Sequence, residues 1–152
     1  MRTTVAMLAT LLIVGVLALG LQAITVGIGV GYEITGLVLI GCLTEVPIGE
    51  HVDVRAQIGF ATPGITGLML ISMDALAHWP VPPLDPFVGL GAGVALTPPP
   101  YSTGMILEAV GGLRLAPTEI VQLYLQARYI LRRADGRWSD GPIFEGGLLL
   151  RF

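Results

Sequence analysis

The stretch HVDVRAQIGFA sets Val52, Val54, Ala56, Ile58 and Phe60 at one parity and His51, Asp53, Arg55, Gln57 and Gly59 at the other. A repeat of two belongs to an extended strand, whose successive side chains point to opposite faces. A helix would scatter the same polar residues around its circumference. ITVGIGVGYEI repeats the pattern, with Ile24, Val26, Ile28, Val30 and Tyr32 set against Thr25, Gly27, Gly29, Gly31 and Glu33. VQLYLQARYILR sets Val121, Leu123, Leu125, Ala127, Tyr129 and Leu131 against Gln122, Tyr124, Gln126, Arg128 and Arg132. One face is aliphatic or aromatic each time. The other mixes charge with glycine and glutamine.

Turn signals punctuate these runs: Thr35-Gly36, Gly49-Glu50, Pro63-Gly64, WPVPPLDP, TPPPYSTG, Ala116-Pro117-Thr118 and ADGRWSDG. Between them lie eight segments, near 24–34, 36–46, 51–61, 66–78, 87–97, 105–115, 120–132 and 142–152. Their length approaches the roughly 9–11 residues that a tilted membrane-spanning strand requires. The 36–46 run alternates least clearly, and its pattern does not assign Cys42 to a face. Cys42 is the single cysteine, so no intrachain disulfide can form.

Residues 1–23 read as a signal peptide and 24–152 as the folded domain. Arg2 supplies a positive start, Val5 to Gly20 an uncharged apolar stretch, and LQA, ending at Ala23, a small-residue cleavage site. An uncleaved anchor is the alternative, because Val5 to Ala23 approaches the roughly 20 residues that span a bilayer.

Eight antiparallel strands can close either as a soluble, lipocalin-like ligand-binding barrel or as a membrane barrel. The two differ in which face is apolar. A soluble barrel hides its apolar face and shows charge, yet only 12% of this chain is charged while 53% is hydrophobic. Here the charges share a face with glycines, and the opposite face is too uniformly apolar to meet water. Closure is obligatory in lipid, where orphaned edge groups cost several kcal/mol each. The pattern therefore specifies an all-β fold, an eight-stranded antiparallel up-and-down transmembrane β-barrel. A net charge of −3 argues against nucleic acid as a partner.

The aromatic residues fit the same reading. If the first strand rises outward, Tyr32, Phe60, Tyr129 and Phe144 fall at the outer end, whereas Trp79 and Phe152 fall at the inner one. Two such rings make the girdles expected at the two membrane interfaces.

The ending GPIFEGGLLLRF resembles the C-terminal signal of bacterial outer-membrane proteins, with Phe144, Leu148, Leu150 and Phe152 alternating to a final Phe. Over 24–152 the chain is similar to the small barrels of the outer-membrane protein A transmembrane domain and its X-type relatives. The resemblance implies residence in the cell outer membrane among membrane lipids, and handling by the barrel-assembly machinery during biogenesis. The chain departs from those relatives in its short outer connections.

Parity turns Glu33, Asp53, Asp74, Glu108 and Glu145 inward, together with Arg55, Arg114, Arg128, Arg132 and Arg151. An eight-stranded barrel is only wide enough for side chains to fill, so these groups are expected to pair rather than line a channel. Glu108 and Glu145 are the candidate partners of Arg128. Inward glycines leave room for Arg114, Tyr124 and Arg128 to lie across the lumen.

Chemistry is sparse. His51 with Asp53, and Asp74 with His78, share faces, but a metal needs more converging ligands. Outer-membrane lipid-modifying enzymes pair a Ser with a His near the outer leaflet; here Ser102 and Ser139 lie in outer loops and both histidines at the inner end. The expectation is a non-catalytic barrel without cofactor, with a structural or envelope-interaction role. The rivals are a narrow pore for ions or small solutes, a lipid-modifying enzyme and the soluble barrel.

Overall fold

A computed structural model describes residues 24–33, 36–62, 68–97, 103–116 and 118–152. The proposed signal peptide, residues 1–23, lies outside them, as does Ser102. Eight strands follow in order: β1 (Thr25–Glu33), β2 (Val38–Pro47), β3 (Val52–Thr62), β4 (Met69–His78), β5 (Leu84–Leu96), β6 (Gly104–Leu115), β7 (Val121–Ala134) and β8 (Arg137–Arg151). Each pairs antiparallel with its neighbours in sequence, and β8 returns to β1, so the sheet is a closed barrel. Closure runs from Thr25 opposite Arg151 to Glu33 opposite Ile143. It extends one residue further, because the Phe152 backbone N–H donates to the Ile24 carbonyl at 2.9 Å. Both chain ends of the barrel therefore share one rim, called here the terminal end.

Period two governs every wall. In β1 the pattern alternates strictly, with Val26, Ile28, Val30 and Tyr32 exposed and Thr25, Gly27, Gly29 and Gly31 buried. The exposed set continues through Ile40, Met73, Leu90, Met105 and Leu125, which is 66% exposed in mid-strand. The outside of this barrel is therefore a continuous apolar band. In β2 the inward positions are Leu39, Gly41, Leu43 and Glu45, and Cys42 faces outward. Its alternation is faint in the sequence because inward leucines sit among outward aliphatics.

Two boundaries differ from the sequence reading. β5 begins at Leu84 rather than near 87, so part of the WPVPPLDP stretch pairs with β6 and turns Asp85 toward the lumen. β7 and β8 run on into ADGRWSDG, where only Asp135 and Gly136 form the turn, with φ of 52° and 73°. Two consecutive positive φ angles make the tight hairpin turn whose twist matches that of the flanking strands. Pairing therefore resumes at once, with Arg133 opposite Trp138.

The lumen is layered. Toward the rim away from the termini, Leu39, Ala61, Leu68, Leu70, Ala95, Ile106, Ile130 and Ile143 form an apolar layer inside the barrel. The middle and the terminal end hold the polar and charged side chains. Smaller apolar clusters, Leu43–Tyr124–Leu149 and Leu76–Phe87–Val110, sit among them.

Candidate functional site

The inward charges form the one concentration of chemistry on the described residues. Of those expected inward, Asp53, Arg55, Asp74, Glu108, Arg114, Arg128 and Glu145 are each at most 6% exposed. Three do not join this buried set. Glu33 and Arg132 are half-buried at the far rim, and Arg151 is exposed at the terminal rim. Two acids that the sequence reading passed over take their place, Glu45 on β2 and Asp85 on β5. The expected balance of equal acids and arginines is thus corrected. Five carboxylates, Glu45, Asp53, Asp74, Glu108 and Glu145, are buried in the lumen with three arginines, Arg55, Arg114 and Arg128, and Asp85 is half-buried at the terminal end.

Each arginine bridges strands. Arg55 donates to Glu45 through Nε at 2.8 Å and Nη2 at 2.6 Å, and to the Gln126 side-chain oxygen through Nη1. Arg128 donates through Nε to Glu108 at 2.8 Å and through Nη2 to Ser72 at 3.1 Å, and its Nη1 stands 3.5 Å from Glu145. Both candidate partners of Arg128 are therefore its partners. Arg114 reaches Asp53 at 3.0 Å, Glu45 at 3.2 Å and Asp85 at 3.0 Å. Phe87 lies among them, its ring centroid 5.0 Å from the Arg55 guanidinium and 4.9 Å from that of Arg114. A desolvated cation gains from an aromatic ring at that range.

Neutral donors make up for the scarcity of cations. Glu145 accepts from the Tyr124 hydroxyl at 2.7 Å, from Gln57 Nε2 at 2.8 Å and from Gln126 Nε2 at 3.1 Å. Asp74 is the exception: neither of its oxygens meets a donor. Asp74 stands opposite Gly91, and Gly91 opposite Glu108, so the two carboxylates occupy one row of the sheet. Glu108 Oε1 also lacks a donor.

Glycine makes room for large inward side chains. A Cβ at Gly147 would come within 2.7 Å of the Tyr124 ring, and one at Gly29 would overlap the Tyr124 hydroxyl. Tyr124 is accommodated as anticipated. Gly112 clears Phe87, at 2.7 Å, and Gly91 clears Asp74.

At the terminal end the network opens into a cavity of about 190 Å³ bordered by Glu45, Glu50, Asp53, His78, Asp85, Arg114 and Arg151. His78 does not reach Asp74, its partner by face in the sequence. Its Nδ1 is 3.1 Å from Asp85 and its Nε2 3.7 Å from Asp53. Among the described residues no set of three metal-ligating side chains converges.

The outward aromatics take the positions that parity assigns. Tyr32, Phe60, Tyr129 and Phe144 are exposed toward the far rim, with Tyr32 directly opposite Phe144 across the β1–β8 seam. Trp79 and Phe152 are exposed at the terminal end, and Phe144, Leu148, Leu150 and Phe152 all lie outward along the last strand. Trp138, which the sequence reading left in a loop, is also outward, with the Arg133 guanidinium 5.7 Å from its ring. Ser139 is exposed near the same rim, on the opposite side of the barrel's length from both histidines.

A closed wall of eight strands, apolar outside and charged within, is the decisive combination. This is the fold of small outer-membrane barrels. The N-terminal β-barrel domain of Pseudomonas aeruginosa OprF matches with a TM-score of 0.66 at 17% identity, over 86% of this chain and 97% of that one. A de novo designed transmembrane β-barrel matches with a TM-score of 0.66 at 14% identity, over 86% of this chain and 95% of the design. The outer-membrane enzyme PagL matches with a TM-score of 0.56 at 13% identity, over 84% of this chain and 98% of that one. No protein-family model matches the sequence, and no curated protein matches it. A designed barrel, a natural domain and an enzyme share this fold, so the barrel by itself assigns no activity. Function has to be argued from the lumen and the two rims.

Proposed function

We propose that this protein is an integral outer-membrane barrel whose lumen is closed by paired charges, with a structural or envelope-docking role rather than a transport or catalytic one. The observation that carries this reading is the set of three buried arginines, each joined to carboxylates on other strands. Across the bore Arg114 reaches Asp53 and Glu45, Arg55 reaches Gln126 and Arg128 reaches Ser72, so a hydrated ion would pass only if several buried contacts broke together. The apolar layer from Leu39 to Ile143 backs them toward the far rim.

Three features support residence in the membrane. The outward band is apolar over its whole circumference, aromatic side chains mark both of its borders, and the wall has no free edge. Membrane lipid is then the partner of the outer face. The outward row Phe144, Leu148, Leu150 and Phe152 is the surface that the barrel-assembly machinery would read. The soluble-barrel alternative requires that band to face water. An enzyme on the Ser–His plan requires a serine beside a histidine; His78 is committed to carboxylates at the terminal end, far from Ser139.

The narrow pore is the reading to set against the plug, because the excess of carboxylates over arginines would favour cations. Planar-bilayer recording on the purified barrel separates the two. A closed lumen gives a baseline without discrete steps at moderate voltage. Reproducible cation-selective openings in the wild-type barrel would overturn it.

A further inference from the structure

His78 sits between two carboxylates, one at each ring nitrogen. Nδ1 is 3.1 Å from Asp85 Oδ1, a hydrogen-bond distance, and Nε2 is 3.7 Å from Asp53 Oδ1, just beyond one. A neutral imidazole has one N–H and one lone pair. Whichever tautomer it adopts, the lone pair points toward a carboxylate oxygen, which is repulsive. Only the doubly protonated ring can donate in both directions.

The other ends of the same two carboxylates are held by one arginine. Asp53 Oδ2 accepts from Arg114 Nη2 at 3.0 Å, and Asp85 Oδ2 from Arg114 Nη1 at 3.0 Å. Asp53, Arg114, Asp85 and His78 thus form a closed four-membered ring on β3, β6, β5 and β4, half the circumference of the barrel. With His78 charged, the ring alternates two anions with two cations. With His78 neutral, Arg114 alone faces Asp53, Asp85 and part of Glu45.

We propose that this ring is a proton-operated latch at the terminal mouth of the lumen: protonation of His78 draws Asp53 and Asp85 onto the imidazolium and fastens β4 to β3 and β5, and deprotonation loosens them. The neighbours are set out for such a device. Glu45 from β2 reaches Arg114, while Glu50 and Arg151 border the same cavity. His51, just ahead of β3, packs edge-on to His78 with ring centroids 6.1 Å apart. Glu45, Asp53, Asp85 and Glu50 oppose Arg114, Arg151 and the two imidazoles, so the mouth is short of positive charge until a histidine takes a proton.

The backbone beside the ring reports its state. The His78 N–H donates to the His51 carbonyl at 3.0 Å and the Trp79 N–H to the Pro86 carbonyl at 3.0 Å. Hydrogen exchange on the folded full chain in detergent micelles, corrected for intrinsic exchange, tests the latch at pH 5 and pH 8. Protection at the His78 and Trp79 amides should be about tenfold greater at pH 5, the factor that one charge-assisted hydrogen bond carries. The far-rim amide of Ala61, bonded to Leu68, should not change. His78→Gln should abolish the difference and His51→Gln should keep it. Equal protection at both pH values in the wild type, or a difference that survives His78→Gln or disappears with His51→Gln, would overturn the latch. Nitrogen-15 spectra of the wild-type ring give a reading that does not depend on any variant folding: both His78 nitrogens should carry protons at pH 5, and a singly protonated ring there refutes the proposal. The latch can fail while the plug stands, since bilayer recording reads the closed bore independently.

Discussion

The two ends of the lumen are filled by different physics. Toward the far rim the inward residues are aliphatic, with Ile106 and Ala95 fully buried and Leu39, Leu70, Ile130 and Ile143 packed around them. Toward the terminal end the same inward parity carries Arg114, Asp53, Asp85 and His78. The wall is continuous, so neither parity nor strand geometry accounts for the difference. Packing is non-directional and tolerates small losses, each deleted methylene costing a modest amount. A buried ion pair is directional, and removing one partner leaves the other charge stranded in a low-dielectric bore. One end should therefore fail by degrees and the other abruptly.

Substitutions can break that comparison, and the largest effect is expected at Arg128. Arg128→Leu leaves Glu108 and Glu145 without their cation, and the cost is expected at about 3–5 kcal/mol. Adding Glu108→Leu should recover part of it, because the charge no longer needs a partner. Urea unfolding from micelles, followed by the fluorescence of Trp79 and Trp138, reads both. An additive double variant would mean that the pair is not coupled.

Gln126→Ala comes next. Gln126 is 2% exposed, donates to Glu145 and accepts from Arg55. Losing it leaves Arg55 Nη1 without its acceptor and Glu145 with one donor fewer, for about 1–3 kcal/mol. Parity alone makes this residue look dispensable, and a neutral result would show that water replaces its amide.

The smallest effect belongs to the apolar end, where Ile106→Val should cost about 0.5–1.5 kcal/mol. A loss as large as that of Arg128→Leu would erase the contrast between the two ends. A gain in stability is expected from Asp74→Asn, since the amide would offer a donor to a carboxylate, Glu108, whose Oε1 has none. The same unfolding experiment checks its sign.

The strand count and faces were legible because a repeat of two survives in sequence wherever one face is apolar and the other is not. It failed on β2, where Leu39 and Leu43 point inward beside outward aliphatics, so Glu45 was not recognised as a lumen residue. It failed at Asp85 for another reason. The prolines around it signal a turn, yet Pro86 pairs with Leu113 in the sheet. The Asp135-Gly136 dipeptide carried a hairpin signal that the polar residues around it obscured. Pairing partners were mostly out of reach, because they depend on the stagger between strands. His78 meets Asp85 and Asp53 from neighbouring strands, and no spacing along the chain encodes that.

The partition of faces is the claim on which the rest depends, and Cys42 offers a direct probe of it. It is the only cysteine in the sequence, and it faces outward in the middle of β2 between Ile28 and Ile58. A nitroxide attached there, in barrel reconstituted into phospholipid vesicles, can be relaxed by dissolved oxygen, which concentrates in lipid, or by a water-soluble nickel chelate. The account predicts strong relaxation by oxygen and little by the chelate. Strong relaxation by the chelate with little by oxygen would place Cys42 in water and contradict a lipid-facing outer wall.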